Sequence, residues 1–339
     1  MKWRNISLRV GTLAVLVAML LRFALSGALG DVWGIFAHPQ LASFLIYNET
    51  GRVPTVLAEA TTTPPTQPAP TQPLPTEPAP IIPTVPIIPV FSADDSQLFS
   101  TTYTFNISSK PNIKNLLTQK LSWDLTGSEP TVLIIHSHGT EAYTKTEDSQ
   151  YDQFAAYRTM DDQYNMISIG DELTRLLEDR GIKVIHDRTA YDYLDYDNAY
   201  TKARTAIQTY LKEYPSIQMV LDLHRDSALN SDGSQWATEA TVNGQDATQL
   251  MLVVGTSGSG QPHPNWQTNL SIAEKMAVLL EQEDPGICRP IQVRYKHYNQ
   301  DLCLGSLIVE VGTAGNTHQQ AMNSMPALAD AIFALAKGT

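Results

Sequence analysis

Five short runs of apolar residues, separated by stretches with helical periodicity, constrain the fold of this chain more than any other feature. Such runs are typical of strands that are buried on both faces of a sheet. We predict strands at residues 132–135, 182–185, 218–223, 250–255 and 306–311. Amphipathic helices are predicted between and after them, at residues 166–180, 199–214, 269–283 and 321–337. This alternation predicts an α/β fold with a mostly parallel sheet flanked by helices on both faces.

Reactive side chains accompany three of the predicted strands. The first strand is followed at once by residues 136–141, which contain His136, His138 and Glu141. The third strand is followed by a His-Arg-Asp sequence at residues 224–226, and the fifth carries Glu310 near its end. Because the carboxyl ends of parallel strands meet at one edge of a sheet, we expect these groups to lie close together.

The residue types in these segments are those of a catalytic zinc site. Neutral imidazoles and a carboxylate form a common ligand set that leaves one position for water, and zinc turns that water into a nucleophile. A separate glutamate, for which Glu310 is suited, then carries the proton to the leaving group. Arg225 and Asp226 are expected to support a ligand or to contact the substrate. His136 and His138 point to the same side in an extended chain, so their spacing alone does not decide which of them binds metal.

Other polar residues compete for these roles. Asp161 and Glu172, around the start of the first predicted helix, are alternatives to Glu141 as the carboxylate ligand. His263 and Asn265 lie in a loop with two prolines and are candidates for lining a substrate cleft, although packing of the loop is an equal alternative. His186, at the end of the second strand, is interpreted as structural.

The first 95 residues are predicted to anchor the chain and to space the domain away from the membrane. Basic residues precede an apolar run that Arg22 interrupts, so residues 1–30 are interpreted as an uncleaved signal anchor, with a cleaved signal peptide as the alternative. The basic residues before the apolar run keep the N-terminus inside the cell, so the rest of the chain is predicted to be exported. Residues 31–60 are assigned as a membrane-proximal segment and residues 61–95 as a Pro/Thr-rich linker, which reaches on the order of 90 Å in polyproline form. The catalytic domain is then residues 96–339.

Composition excludes several other classes of protein. The formal net charge of -12, without a basic stripe, argues against nucleic-acid binding. Cys288 and Cys303 are the only cysteines, which excludes a disulfide scaffold and a cysteine-rich zinc module. Histidines and carboxylates must therefore supply the ligands of any metal.

Five separated segments of the sequence resemble the stage II sporulation protein P family: residues 132–143, 164–173, 222–227, 263–266 and 299–312. The resemblance covers roughly residues 100–339. It implies a zinc-dependent N-acetylmuramoyl-L-alanine amidase-like hydrolase that cuts stem peptides from peptidoglycan, with endopeptidase activity on the cross-links as well. It implies His136, Glu141 and His224 as zinc ligands, with His138 and Asp161 as alternatives, and Glu310 as the catalytic glutamate.

The same resemblance implies a biological setting. The protein would degrade the septal cell wall during engulfment in an endospore former, from a single-pass anchor in the cell membrane. The implied partners are the sporulation protein D lytic transglycosylase and the membrane protein M of the same stage. Two other functions are compatible with the sequence, namely a non-catalytic wall-binding scaffold at the septum and a metal-dependent glycan deacetylase.

Overall fold

The computed structural model describes residues 88–107 and 110–339, which belong to the unit Pro78–Thr339 of the chain. The predicted anchor at residues 1–30, the membrane-proximal segment at 31–60 and most of the linker at 61–95 lie outside the described residues. Phe91, at the end of the predicted linker, packs against the core of the domain. Among the helices of the described ranges, none has the length and apolar character needed to cross a membrane.

A seven-stranded sheet and a separate two-stranded hairpin make up the strands of the described residues. The strands are β1 (Thr101–Tyr103), β2 (Val132–Ile135), β3 (Val184–His186), β4 (Met219–Asp226), β5 (Ala240–Val242), β6 (Gln245–Ala247), β7 (Leu250–Gly255), β8 (Ile291–Arg294) and β9 (Gly305–Thr313). The order in the large sheet is β1-β8-β7-β9-β4-β2-β3, and β5 pairs with β6. All neighbouring strands of the large sheet are parallel except β7 and β9, so the sheet is mostly parallel, as predicted.

The helices follow the predicted pattern closely. They are α1 (Ile113–Leu117), α2 (Met166–Asp179), α3 (Ala199–Glu213), α4 (Trp266–Glu283) and α5 (His318–Ala334). The four long helices and the five apolar strands that the sequence predicted are all present, with ends shifted by a few residues. The short elements β1, β8, α1 and the β5-β6 hairpin were not predicted, because their sequences contain no continuous apolar run and are too short for a helical period.

The two faces of the sheet are covered in different ways. One face carries Leu221 and Val309, and it packs against α2, α4 and α5 in the main core. The other face carries Leu133, Ile135 and Val220, and it packs against α3. We call this second side the α3 face. The prediction of helices on both faces is confirmed.

Beyond α3, single side chains cover the α3 face over β7 and β9. Met251, Val253 and Ile308 contact Tyr200 from the first turn of α3 and Tyr298 from the loop after β8. Because single aromatic rings rather than a whole helix cover this half of the face, a groove can form beside the ends of β2 and β4.

Candidate metal centre

His138, Glu141 and His224 form a compact cluster at the ends of β2 and β4. One ligand atom from each side chain lies within 4.8 Å of the others, and all three residues are buried. Glu141 Oε1 is 3.6 Å from Nδ1 of His138, and Glu141 Oε2 is 3.4 Å from Nδ1 of His224. Two imidazoles and one carboxylate are a common ligand set for catalytic zinc. The side chains present therefore fit the zinc ion that the sequence predicted.

His136 lies on the opposite side of the sheet from this cluster. Its Nδ1 is 3.2 Å from the carbonyl oxygen of Leu223, and its Nε2 is 2.8 Å from Nε2 of His186. A Cβ atom at Gly170 of α2 would come within 2.6 Å of the His136 ring, so this ring packs tightly against α2. The arrangement differs from the predicted ligand set, since His138 rather than His136 accompanies Glu141 and His224.

A turn after β2 explains the exchange of histidines. The strand ends at Ile135, and residues 137–140 form a turn, so the side chains no longer alternate as in an extended chain. Asp192 fixes the turn because it accepts hydrogen bonds from the backbone N–H and the hydroxyl of Thr140. Arg158 links the loop of Asp192 to Glu141, because it forms ion pairs with Asp192 and, at 3.1 Å, with Glu141. The turn directs His138 and Glu141 towards the α3 face.

Glu141 is held as a carboxylate by the cations around it. Burial alone would raise its pKa, but Arg225 and His224 hold the pKa well below the usual range. The backbone N–H of Arg225 also donates to Glu141 Oε2 at 3.2 Å. An ionised carboxylate at this position is ready to bind a divalent cation.

The second ring nitrogen of His224 faces two hydrogen-bonding groups. Nε2 is 3.0 Å from Asp222 Oδ1 and 2.9 Å from the hydroxyl of Ser137. Ser137 in turn donates its hydroxyl and its backbone N–H to Asp222, at 2.6 and 2.8 Å. Carboxylates that bind the free nitrogen of a metal-ligating histidine fix its orientation and tautomer. Asp222 and Ser137 therefore leave Nδ1 of His224 available as the metal-binding atom.

Replacement of Asp222 by asparagine should lower the zinc affinity of the protein by about 10- to 100-fold, because the carboxylate no longer orients His224. A competition titration with a chelating dye measures this change. Ser137→Ala is the matched control, since it keeps the carboxylate and removes only one of its donors, and a smaller loss is expected. An unchanged zinc affinity in Asp222→Asn would contradict the assigned role.

Glu310 lies beside the cluster on the neighbouring strand. It pairs in register with His224 across β4 and β9, so both side chains point to the α3 face. The residue is buried, and its Oε2 atom has no hydrogen-bond partner among the described residues. Burial raises the pKa of Glu310 to about 7, although His224 works to lower it. A carboxyl group with this pKa can both accept and donate a proton near neutral pH.

The model of the "Stage II sporulation protein P (SpoIIP)" family matches residues 92–333 of the chain. The chain belongs to the stage II sporulation protein P family. A curated relative, the "Stage II sporulation protein P" of Bacillus subtilis (strain 168), is 27% identical over 216 residues, which cover 60% of this chain. Those residues span 51% of the relative, so the chain spans about half the length of the curated protein that it matches.

Solved structures similar to this member of the family include three amidases. The N-acetylmuramoyl-L-alanine amidase AmiC2 of Nostoc punctiforme has a TM-score of 0.32 and 13% identity, over 60% of this chain and 96% of that chain. The CwlD amidase from Clostridioides difficile, in complex with the GerS lipoprotein, has a TM-score of 0.34 and 12% identity, over 60% of this chain and 96% of that chain. The N-acetylmuramyl-L-alanine amidase Ami1 from Mycobacterium smegmatis has a TM-score of 0.34 and 12% identity, over 62% of this chain and 98% of that chain.

Arg225 and Asp226, which have predicted roles at the site, each form contacts within the chain. Arg225 is buried, and its guanidinium donates to the carbonyl oxygens of Ala142 and Tyr157 at 2.9 Å each. It thus holds the loop around Glu141, in agreement with the predicted support of a ligand, and its contact with a substrate stays a prediction. Asp226 forms an ion pair with Arg289 at 2.8 Å, and its predicted contact with a substrate stays a prediction.

The remaining predicted residues do not belong to the ligand cluster. Asp161 caps the turn before α2, where its Oδ1 accepts from the backbone of Gln163, and it does not join the ligand group. His263 is fully buried, and neither of its ring nitrogens has a partner among the described residues. Burial lowers its pKa to about 4, while Asp301 opposes this change. Asn265 is exposed and directly precedes α4.

A groove of about 580 Å³ lies next to the metal cluster in this member of the family. Tyr200 forms part of its wall, and the ring centroid of Tyr200 is 5.3 Å from that of His138 and 6.2 Å from that of His224. Asn299 and Asp301, from the segment after β8, line the other part. The groove therefore offers space for a substrate beside the metal site.

Several residues of the site received no role from the sequence. Asp222 had a usable signal, because it lies two residues before His224 in a strand and so shares its face. Tyr200 and Arg158 gave no such signal, since each reaches the site only through the packing of loops that are distant in sequence.

Proposed function

We propose that this chain is a zinc-dependent peptidoglycan hydrolase that cleaves the amide bond between N-acetylmuramic acid and L-alanine. The observation that supports this most directly is the position of Glu310, a buried carboxyl group with a raised pKa, next to His138, Glu141 and His224. A metal-ligand cluster beside a titratable glutamate suits hydrolysis of an amide. Membership of the sporulation protein family supports peptidoglycan as the substrate.

The residues of the chain would divide the reaction between them. Zinc, when bound by His138, Glu141 and His224, supplies a Lewis acid that polarises the amide carbonyl and activates water. Glu310 accepts a proton from the attacking water at its unpaired Oε2 and delivers it to the departing nitrogen. Asp222 and Ser137 hold the ring of His224, while Arg225 keeps Glu141 ionised and Arg158 pairs with it.

The proposal extends to the setting of the reaction. The predicted signal anchor at residues 1–30 and the linker at 61–95 would tether the enzyme to the cell membrane and let it reach the septal wall. Endopeptidase cleavage of cross-links is proposed as a second activity. The sporulation protein D transglycosylase and the membrane protein M of the same stage are proposed as partners, on the basis of the family resemblance alone.

Digestion of purified cell wall by the full-length protein, with and without a chelator, tests this function. We expect release of peptides that begin with a free L-alanine amino group, and we expect the chelator to stop it and added zinc to restore it. Mass analysis of the products separates the alternatives. Loss of acetyl groups with the peptides still attached would indicate a deacetylase, and bound zinc without any product would indicate a scaffold.

A further inference from the structure

Arg294, the last residue of β8, differs from every other arginine in the described ranges of the chain. Each of the others forms an ion pair with a carboxylate: Arg158, Arg175, Arg180, Arg188, Arg204, Arg225 and Arg289. Arg294 is partly buried, and among residues 88–107 and 110–339 its guanidinium has neither an ion pair nor a hydrogen-bond acceptor. A guanidinium presents five donors in a planar fork that matches a carboxylate, so this one is suited to an acceptor from outside the chain.

The register of the sheet places Arg294 on the same face as the catalytic site. Arg294 pairs with Gly255, and Gln292, two residues earlier, pairs with Val253. Val253 pairs with Ile308 on β9, which lies two residues before Glu310. Since paired residues in a sheet point to the same side, Arg294 and Glu310 both point to the α3 face.

The electrostatics of Glu310 agree with this placement. Burial has the largest influence and raises the pKa of Glu310, but Arg294 is among the charges that act to lower it. The positive charge of Arg294 is therefore felt at the catalytic carboxyl group. The residues that follow Arg294 line the groove beside Tyr200, so the arginine lies at the start of a segment that forms the cleft.

We propose that Arg294 binds a carboxylate of the peptide part of the substrate, and so selects stem peptides with free acid groups. This inference rests on the proposed amidase function. In that reaction, Glu310 delivers a proton to the departing nitrogen, and this nitrogen belongs to the peptide. The peptide therefore leaves next to Glu310, over the α3 face that also carries Arg294. The glycan offers only hydroxyl and acetamide groups, whereas the peptide carries carboxylates that pair with a guanidinium.

The overall charge of the chain strengthens the assignment. A formal net charge of -12 works against binding of an acidic peptide unless a cation is placed where that peptide lies. Arg204, a second arginine beside the groove, is already neutralised by Asp301 at 2.7 Å. Arg294 is thus the arginine beside the site whose charge no described carboxylate neutralises.

Steady-state kinetics of Arg294→Gln on a muropeptide with free carboxylates tests the inference. We expect KM to rise by about 10- to 100-fold, which corresponds to loss of one charged hydrogen-bonded contact, while kcat changes little. The same substrate with its carboxylates amidated should show almost no difference between wild type and variant. Arg294→Lys should recover part of the loss, and Lys296→Gln, an exposed neighbour with the same change of charge, is the matched control.

An unchanged KM in Arg294→Gln, or an equal loss with the amidated substrate, would overturn the inference and leave the proposed function intact. If the wild-type protein does not cleave the muropeptide at all, the proposed function fails instead. Calorimetric binding of the free-acid peptide and of its amidated form to the zinc-loaded wild type and to Arg294→Gln then decides the inference separately. A dissociation constant that is the same for both proteins would refute it.

Discussion

Replacement of Glu310 by glutamine should lower kcat by about 10²- to 10⁴-fold while the protein keeps its full zinc content, because the change removes the proton carrier and leaves the ligands in place. Glutamine has nearly the same shape as glutamate, so the packing on β9 is preserved. Turnover of a muropeptide, measured together with zinc content by elemental analysis, checks both parts of the prediction.

A control and a pH profile sharpen this prediction. Glu172 on α2 lies outside the ligand group, and Glu172→Gln should leave turnover unchanged. Because burial raises the pKa of Glu310 to about 7, the ionised form that accepts a proton is lost below that pH. The rate of the wild type should therefore fall about tenfold for each pH unit below the pKa of Glu310. Zinc bound nearby would lower this pKa and shift the fall in rate to lower pH. Full activity in Glu310→Gln, or the same fall in rate at low pH in the variant, would exclude Glu310 as the proton carrier.

Substitution of either clustered histidine should remove zinc and activity together. In His138→Ala and His224→Ala one of three ligands is lost. Zinc affinity should therefore fall by more than the roughly 100-fold that is the upper limit for Asp222→Asn, which removes only the carboxylate that orients a ligand. Dye competition and the muropeptide assay measure the two losses. Glu141→Gln should behave in the same way, because the amide lacks the negative charge that the cation requires.

His136→Ala provides the matched comparison, since His136 is also a buried histidine of the same segment. It should keep stoichiometric zinc and lose about 1–3 kcal/mol of unfolding free energy, because its hydrogen bonds to His186 and to the Leu223 carbonyl disappear. Denaturant unfolding of the zinc-free protein measures this loss. Loss of zinc in His136→Ala with retention in His138→Ala would reverse the assignment and restore the ligand set that the sequence resemblance implied.

Most of the scaffold could be predicted from residue pattern. Continuous apolar runs predicted the long strands, and the helical periods predicted α2 to α5, because burial of both sheet faces leaves a direct mark on the sequence. The strands β1 and β8 escaped prediction, since neither Thr101–Tyr103 nor Ile291–Arg294 contains a continuous apolar run. Arg294 lies on one of these missed strands, which is why it had no role before the register of the sheet was known.

The sequence by itself determined the chemical inventory: histidines and a carboxylate after one strand, a histidine at the end of another, and Glu310 on a third. Only the tertiary structure decided which of them meet. The turn after β2 directs His138 rather than His136 to the α3 face. That turn depends on a hydrogen bond from Thr140 to Asp192, which lies in a loop more than fifty positions further along the chain. Contacts of this kind leave no periodic mark in a single sequence, because they are set by packing of distant segments rather than by local spacing.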